Sequence, residues 1–156
     1  MYQKSSVYYH ILSYKIITQI AATNKMLHIM GINNSPMCSR CTTCIDTIEH
    51  KFWDCSEVHS FWENIARFIN SLDIVPDMVL FTAKKIFLGV SNDRVITKVI
   101  SIGKSMISKR NNLNVKLFTV KLKIEITNEK CMAQNRGKMD RFKETWGNVA
   151  NAIANI

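Results

Sequence analysis

The chain has 156 residues, 47% of them hydrophobic and 21% charged, and 21 Lys/Arg against 12 Asp/Glu give a net charge of +9. That length supports one modest domain. No run of about eighteen apolar residues occurs, which excludes an apolar membrane-spanning helix.

In chain order, Val7 to Ala22 is rich in apolar residues but is interrupted by His10, Ser13, Lys15, Thr18 and Gln19. The pattern is that of an amphipathic helix and not of a secretory signal. The cysteines are therefore expected in a reducing compartment, where metal binding is favoured over disulfides, and the Asn33-Asn34-Ser35 sequon is discounted on the same ground. Val7, Ile11, Tyr14, Ile17 and Ala21, then Met26, Leu27 and Met30, recur near a 3.6-residue period and predict a helix over 7–30 with Gly31 as its stop. Turn chemistry follows from Gly31 to Cys38.

The next segment carries the chemistry. Cys38, Cys41, His50 and Cys55 fall in the order Cys-x2-Cys-x8-His-x4-Cys. Three thiolates and one imidazole suit Zn²⁺, which takes four N/S ligands tetrahedrally. Four protein ligands leave no open place for a reactive water, so the expected ion is structural. Cys44 makes a second Cys-x2-Cys with Cys41 and could replace either neighbour. Cys38 is preferred because Pro36 helps fix its turn and because Cys44 begins the stretch that must travel to His50. His59 is a weaker substitute for His50. A redox Cys-x2-Cys wants a strand before it and a helix after it, and nothing of that kind surrounds this one.

Ser56 is the expected N-cap of a following helix, with Glu57 in its first turn. Val58, Phe61, Trp62, Ile65, Phe68, Ile69 and Leu72 would form its apolar face. The aromatic pairs Phe52-Trp53 and Phe61-Trp62 read as the small core onto which a metal loop folds. Pro76 breaks the pattern, and Thr82 can cap a short helix over 83–88 stopped by Gly89. Asn92 or Asp93 can cap a longer one bearing Val95, Ile96, Val99, Ile100, Met106 and Ile107. Gly103-Lys104-Ser105 invites a phosphate-loop reading, but Lys98 stands where the required glycine would be and the segment has mid-helix character. Val115 to Ile126 fits strand alternation and helical spacing equally well, since Phe118, Leu122 and Ile126 fall at i, i+4 and i+8. Beyond Gly137 a last amphipathic helix carries Met139, Phe142, Trp146, Val149 and Ile153.

Charge is uneven along the chain. Residues 1–90 hold 8 Lys/Arg and 7 Asp/Glu, whereas residues 91–156 hold 13 and 5. A polyanionic partner would meet the C-terminal third first.

These residues resemble a known family. Thr23-Asn24-Lys25-Met26-Leu27, Ser35-Pro36-Met37-Cys38-Ser39-Arg40-Cys41, Glu49-His50-Lys51-Phe52-Trp53-Asp54-Cys55 and Phe61-Trp62 look like the C-terminal zinc-binding region of LINE-type (non-LTR) retrotransposon reverse transcriptases. Phe81 to Gly89 and the tail Phe142-Lys143-Glu144-Thr145-Trp146-Gly147 match further stretches of that pattern. The resemblance implies ligation by Cys38, Cys41, His50 and Cys55, leaves Cys44 as an extra, and tips 115–126 toward helix. The family's tail usually carries more aromatic residues where this chain has Ser105, Met106 and Ser108.

The expectation is a mainly α fold: a helical module with a small Cys-Cys-His-Cys zinc knuckle between the first and second helices. Its parts are an N-terminal helix and turn (1–36), the knuckle plus a helix (37–72) and a basic helical region (73–156), forming one continuous domain. One structural Zn²⁺ is expected. RNA or DNA would be held through the basic C-terminal third, with Lys98, Lys104, Lys109, Arg110, Lys116, Lys121, Lys123, Arg136, Lys138, Arg141 and Lys143 as candidate phosphate contacts. No paired-aspartate polymerase motif occurs, so the chain is expected to be non-catalytic by itself. The alternatives are a docking module, whose partner in the family would be the polymerase portion, and an inactive mobile-element relic. The resemblance implies a nuclear location; the missing secretory signal and apolar span make the expectation intracellular, nuclear and/or cytoplasmic, with no membrane partner.

Overall fold

A computed structural model describes residues 2–73, 78–88, 93–109 and 112–154. The described chain is mostly helical: α1 (Tyr2–Ile17), α2 (Asn24–Ile29), a single π turn (His50–Asp54), α3 (Ser56–Ser71), α4 (Ala83–Leu88), α5 (Arg94–Ser108), α6 (Val115–Asn135) and α7 (Met139–Ala154). Among the described residues the only β pairing is one antiparallel bridge, Met37 with Ile45. No described helix is long and apolar enough to cross a membrane. The expected stops at Pro76 and Gly89, the alternative cap Asn92 and the candidate Arg110 lie outside the described residues.

The predicted helix over 7–30 is two helices. Gln19 adopts a left-handed conformation (φ 61°), and the N–H groups of Ile20 and Ala21 both donate to the Lys15 carbonyl, which closes α1. No glycine marks this break, so periodicity ran through it. Thr23 then caps α2 through its hydroxyl, which accepts from the Met26 N–H at 3.2 Å. Gly31 ends α2 as expected, at φ 71°. The knuckle consequently lies between the second and third helices.

The face of α1 also differs from expectation. Leu12 and Ile16 enter the core with Tyr8 and Tyr9 packed beside them, while Val7, Ile11, Tyr14 and Ile17 remain exposed. This helix carries apolar residues on both sides, and its packing against α4 and α5 selects one of them.

The core is built around α5. Ten of its residues are buried, from Val95 and Ile96 through Ile107, which is the signature of a helix enclosed by its neighbours. The helices α1, α6 and α7 and the π turn pack on it. Asp93 caps it, its carboxylate accepting from the N–H groups of Val95 (2.6 Å) and Ile96 (3.3 Å). Gly103 admits the Trp62 indole: a Cβ there would stand 2.4 Å from a ring carbon. The α3 face is buried through Val58, Phe61, Trp62, Ile65 and Ile69, with Ala66 added and Phe68 and Leu72 partly covered. Thr82 caps α4 as expected, accepting from the Lys85 N–H. The ambiguous stretch is helix: Phe118, Leu122 and Ile126 are buried, whereas Val120 and Ile124 are exposed. Phe118 meets Phe61 and Phe68 edge-on. The last helix buries Phe142, Trp146, Val149 and Ile153.

Candidate metal centre

Cys38, Cys41, His50 and Cys55 converge, with one ligand atom from each lying within 4.8 Å of the other three. His50 Nε2 and Cys41 Sγ are 3.3 Å apart. Metal–sulfur bonds of about 2.3 Å in a tetrahedron place donors a little under 4 Å from one another, so this cluster fits a single ion. Cys38, His50 and Cys55 are buried and Cys41 is half-buried.

Each pair of ligands is positioned by its own backbone device. The first lies on a small hairpin, in which the Cys38 N–H donates to the Cys44 carbonyl (2.8 Å) and the Asp46 N–H to the Pro36 carbonyl (2.9 Å). The turn tightens as the Thr42 N–H reaches the Cys38 carbonyl at 3.0 Å, which puts Thr42 in the left-handed region at φ 59°. The Arg40 N–H points at Cys38 Sγ, 3.4 Å away. For the second pair, the Cys55 N–H closes onto the His50 carbonyl at 3.0 Å. A π turn spans five residues per hydrogen bond and so brings i and i+5 together, which is why His-x4-Cys delivers both side chains to one point. Cys55 rather than Ser56 occupies the N-cap of α3, and its thiol therefore sits at the positive end of the helix. The cap thus falls one residue before the expected Ser56, on an extended backbone position whose side chain makes no capping hydrogen bond.

The protonation chemistry of the two hairpin thiols is divided. Burial pushes Cys38 up to about 11, whereas the Thr43 hydroxyl and backbone N–H hold Cys41 down to about 6. The raised Cys38 thiol is protonated near neutral pH, so binding a metal there would release its proton.

Neither alternative ligand belongs to the cluster. Cys44 is exposed and supplies its carbonyl to the hairpin while its thiol faces the Thr43 hydroxyl. His59 is exposed, packs edge-on against Trp53 and pairs with Glu63.

The knuckle is stitched to the rest of the fold by polar residues that no ligand rule singles out. Buried Asn24 donates from its side chain to the Met37 carbonyl (2.6 Å) and to Ser39 Oγ (2.8 Å), and its backbone N–H donates to the buried Asp46 carboxylate (2.6 Å). Arg40 donates to the Ile107 carbonyl at the end of α5 (3.2 Å). Trp62 Nε1 donates to the Phe52 carbonyl inside the π turn (3.0 Å). The metal loop is thus continuous with the core.

The candidate phosphate contacts are not equivalent. Lys109, Lys116, Arg136, Lys138, Arg141 and Lys143 are exposed, and Lys121 and Lys123 are half-buried. Lys109 Nζ lies 4.7 Å from the centre of the Tyr8 ring. Lys98 is bound to Glu125 (3.4 Å) and Glu129 (3.0 Å), and Tyr9 also donates to Glu125. Lys104 is a correction: it is 1% exposed on the enclosed face of α5, with its ammonium 3.5 Å from the Phe87 carbonyl, and reaches no surface anion. Arg94 was not among the candidates, yet it stands one turn before Lys98 and lines the same groove as Arg136, Lys138 and Arg141. Its i, i+4 relation to Lys98 was the available signal.

Comparison with family models, curated proteins and solved structures finds no match.

Proposed function

We propose that the chain is a zinc-stapled, non-catalytic, nucleic-acid-binding module of the kind found at the C-terminal end of LINE-type reverse transcriptases. The observation that carries the zinc assignment is the closed set of three thiols and one imidazole around one point. Soft donors favour zinc over magnesium or calcium, and a filled coordination shell favours a structural over a catalytic ion. The likeness of the Thr23–Trp62 region to that family's pattern supports the retroelement origin. The exposed cations of α6 and α7 support a polyanionic partner, and such a region would help hold template RNA or target DNA.

A second reading, docking onto a partner protein, is favoured by the outward stripe of Val7, Ile11, Tyr14 and Ile17 on α1. Salt separates the two, because phosphate contacts weaken steeply with ionic strength and an apolar face does not. The test combines metal analysis of the purified protein with binding to a labelled structured RNA and a DNA duplex across a salt series. The expected result is one zinc per chain and affinity that falls linearly on log–log axes. Absence of bound zinc would refute the metal assignment, and absence of binding at low salt would refute the nucleic-acid assignment.

A further inference from the structure

The C-terminal third holds a groove of about 370 Å³ between α5, α6 and α7. Its rim carries the exposed Arg94, Arg136, Lys138 and Arg141, and its apolar floor is half-buried Met132 and Ala133, with little of Phe142 (7% exposed) and Trp146 (6%) showing. The one acidic residue lining it, Glu129, is held by Lys98 at 3.0 Å. None of the four rim cations forms an ion pair among the described residues, and the four converge on one concavity. Gly137 makes this convergence possible. Its left-handed turn (φ 63°), closed by the Lys138 N–H on the Ala133 carbonyl at 2.8 Å, folds α7 back along α6 and brings Arg141 beside Arg136.

From this geometry we infer that the groove is the binding site for a single-stranded segment of RNA or DNA. The inference rests on the nucleic-acid reading above and specifies where, and in which form, the polymer is taken. A paired duplex buries its base faces and offers mainly phosphates to a protein surface, which would leave an apolar floor unused. An unpaired nucleotide supplies both halves of the match, with phosphate for the rim and an apolar base face to lie on Met132 and Ala133. The volume is at the small end of the roughly 300–1,000 Å³ range of ligand pockets, the scale of one nucleotide lodged within a longer strand. Lys98 contributes by neutralising Glu129 instead of meeting phosphate itself.

The experiment uses the full zinc-loaded chain and fluorescence anisotropy with labelled oligo(dT), oligo(rU) and a mixed-sequence duplex, each about 20 units long. The groove variant is Arg136→Gln/Arg141→Gln. Lys25→Gln/Lys84→Gln, exposed and outside the groove, removes the same charge. Both arginines are exposed, so zinc content and helicity should be unchanged. The groove variant should weaken single-strand binding about tenfold near 100 mM salt and lower the salt slope by about 1.4, at roughly 0.7 per lost contact. The control pair should stay within about twofold of wild type, and single strands should outcompete the duplex. Groove variants that bind single strands like wild type would overturn the site while leaving the module a nucleic-acid binder. A preference for duplex would do the same. If the wild-type chain binds none of the three probes at low salt, the groove assignment falls together with the function on which it rests.

Discussion

Lys104 offers a quantitative test of the core. It is 1% exposed, faces one carbonyl at 3.5 Å, and has no carboxylate in reach among the described ion pairs. Burial holds its ammonium down to about 8 from an ordinary 10.5. At about 1.4 kcal/mol per pH unit, keeping Lys104 charged costs the folded state about 3 kcal/mol at pH 7. The unfolded chain binds the extra proton between about pH 8 and 10.5, so wild-type stability rises with pH across that window and the penalty shrinks to about 1–2 kcal/mol at pH 9.5. Lys104→Met keeps a long unbranched side chain and removes the charge. Urea unfolding of the two zinc-loaded proteins at both pH values isolates the effect, because every other titrating group is shared. The variant should be more stable by about 2–3 kcal/mol at pH 7, and its advantage should narrow by about 2 kcal/mol at pH 9.5. A variant no more stable at pH 7, or an advantage that does not change with pH, would refute the buried-charge account.

Three further outcomes follow from particular contacts. Gly103→Ala places a methyl 2.4 Å from the Trp62 ring and should cost about 1–3 kcal/mol in denaturant unfolding; a neutral result would mean that the indole is not wedged against α5. Cys44→Ser should retain the full metal content and Cys38→Ser should lose it, measured by elemental analysis after dialysis, and the reverse order would reassign the hairpin ligand. Thr42→Gly relieves a β-branched residue at φ 59° and should raise stability by up to about 1 kcal/mol, read as a higher melting temperature with unchanged zinc stoichiometry.

The sequence by itself determined those features whose cause is local. The Cys-x2-Cys and His-x4-Cys pairs, the cap at Thr82, the stop at Gly31, the break at Gly137 and the apolar face of α3 each depend on residues within a short stretch. Their physics, whether donor chemistry, capping or helical period, is complete within a short segment. What remained illegible depends on what a segment meets. Both sides of α1 are apolar, and contact with α4 and α5 decides that Leu12 and Ile16 go inward while Val7 and Ile11 stay in water. The stretch 115–126 satisfies two periods at once, and burying Phe118, Leu122 and Ile126 against the core selects the helix. Lys104 reads as a surface cation by type, yet it lies where the central helix is enclosed. Asn24, Asp46 and Arg40 look like ordinary polar loop residues until the knuckle folds onto α2 and α5. Even His50 and Cys55, paired by their spacing in the sequence, are brought to one point through a π turn that no local propensity favours, and tertiary contacts such as the Trp62 hydrogen bond to Phe52 hold that turn in place.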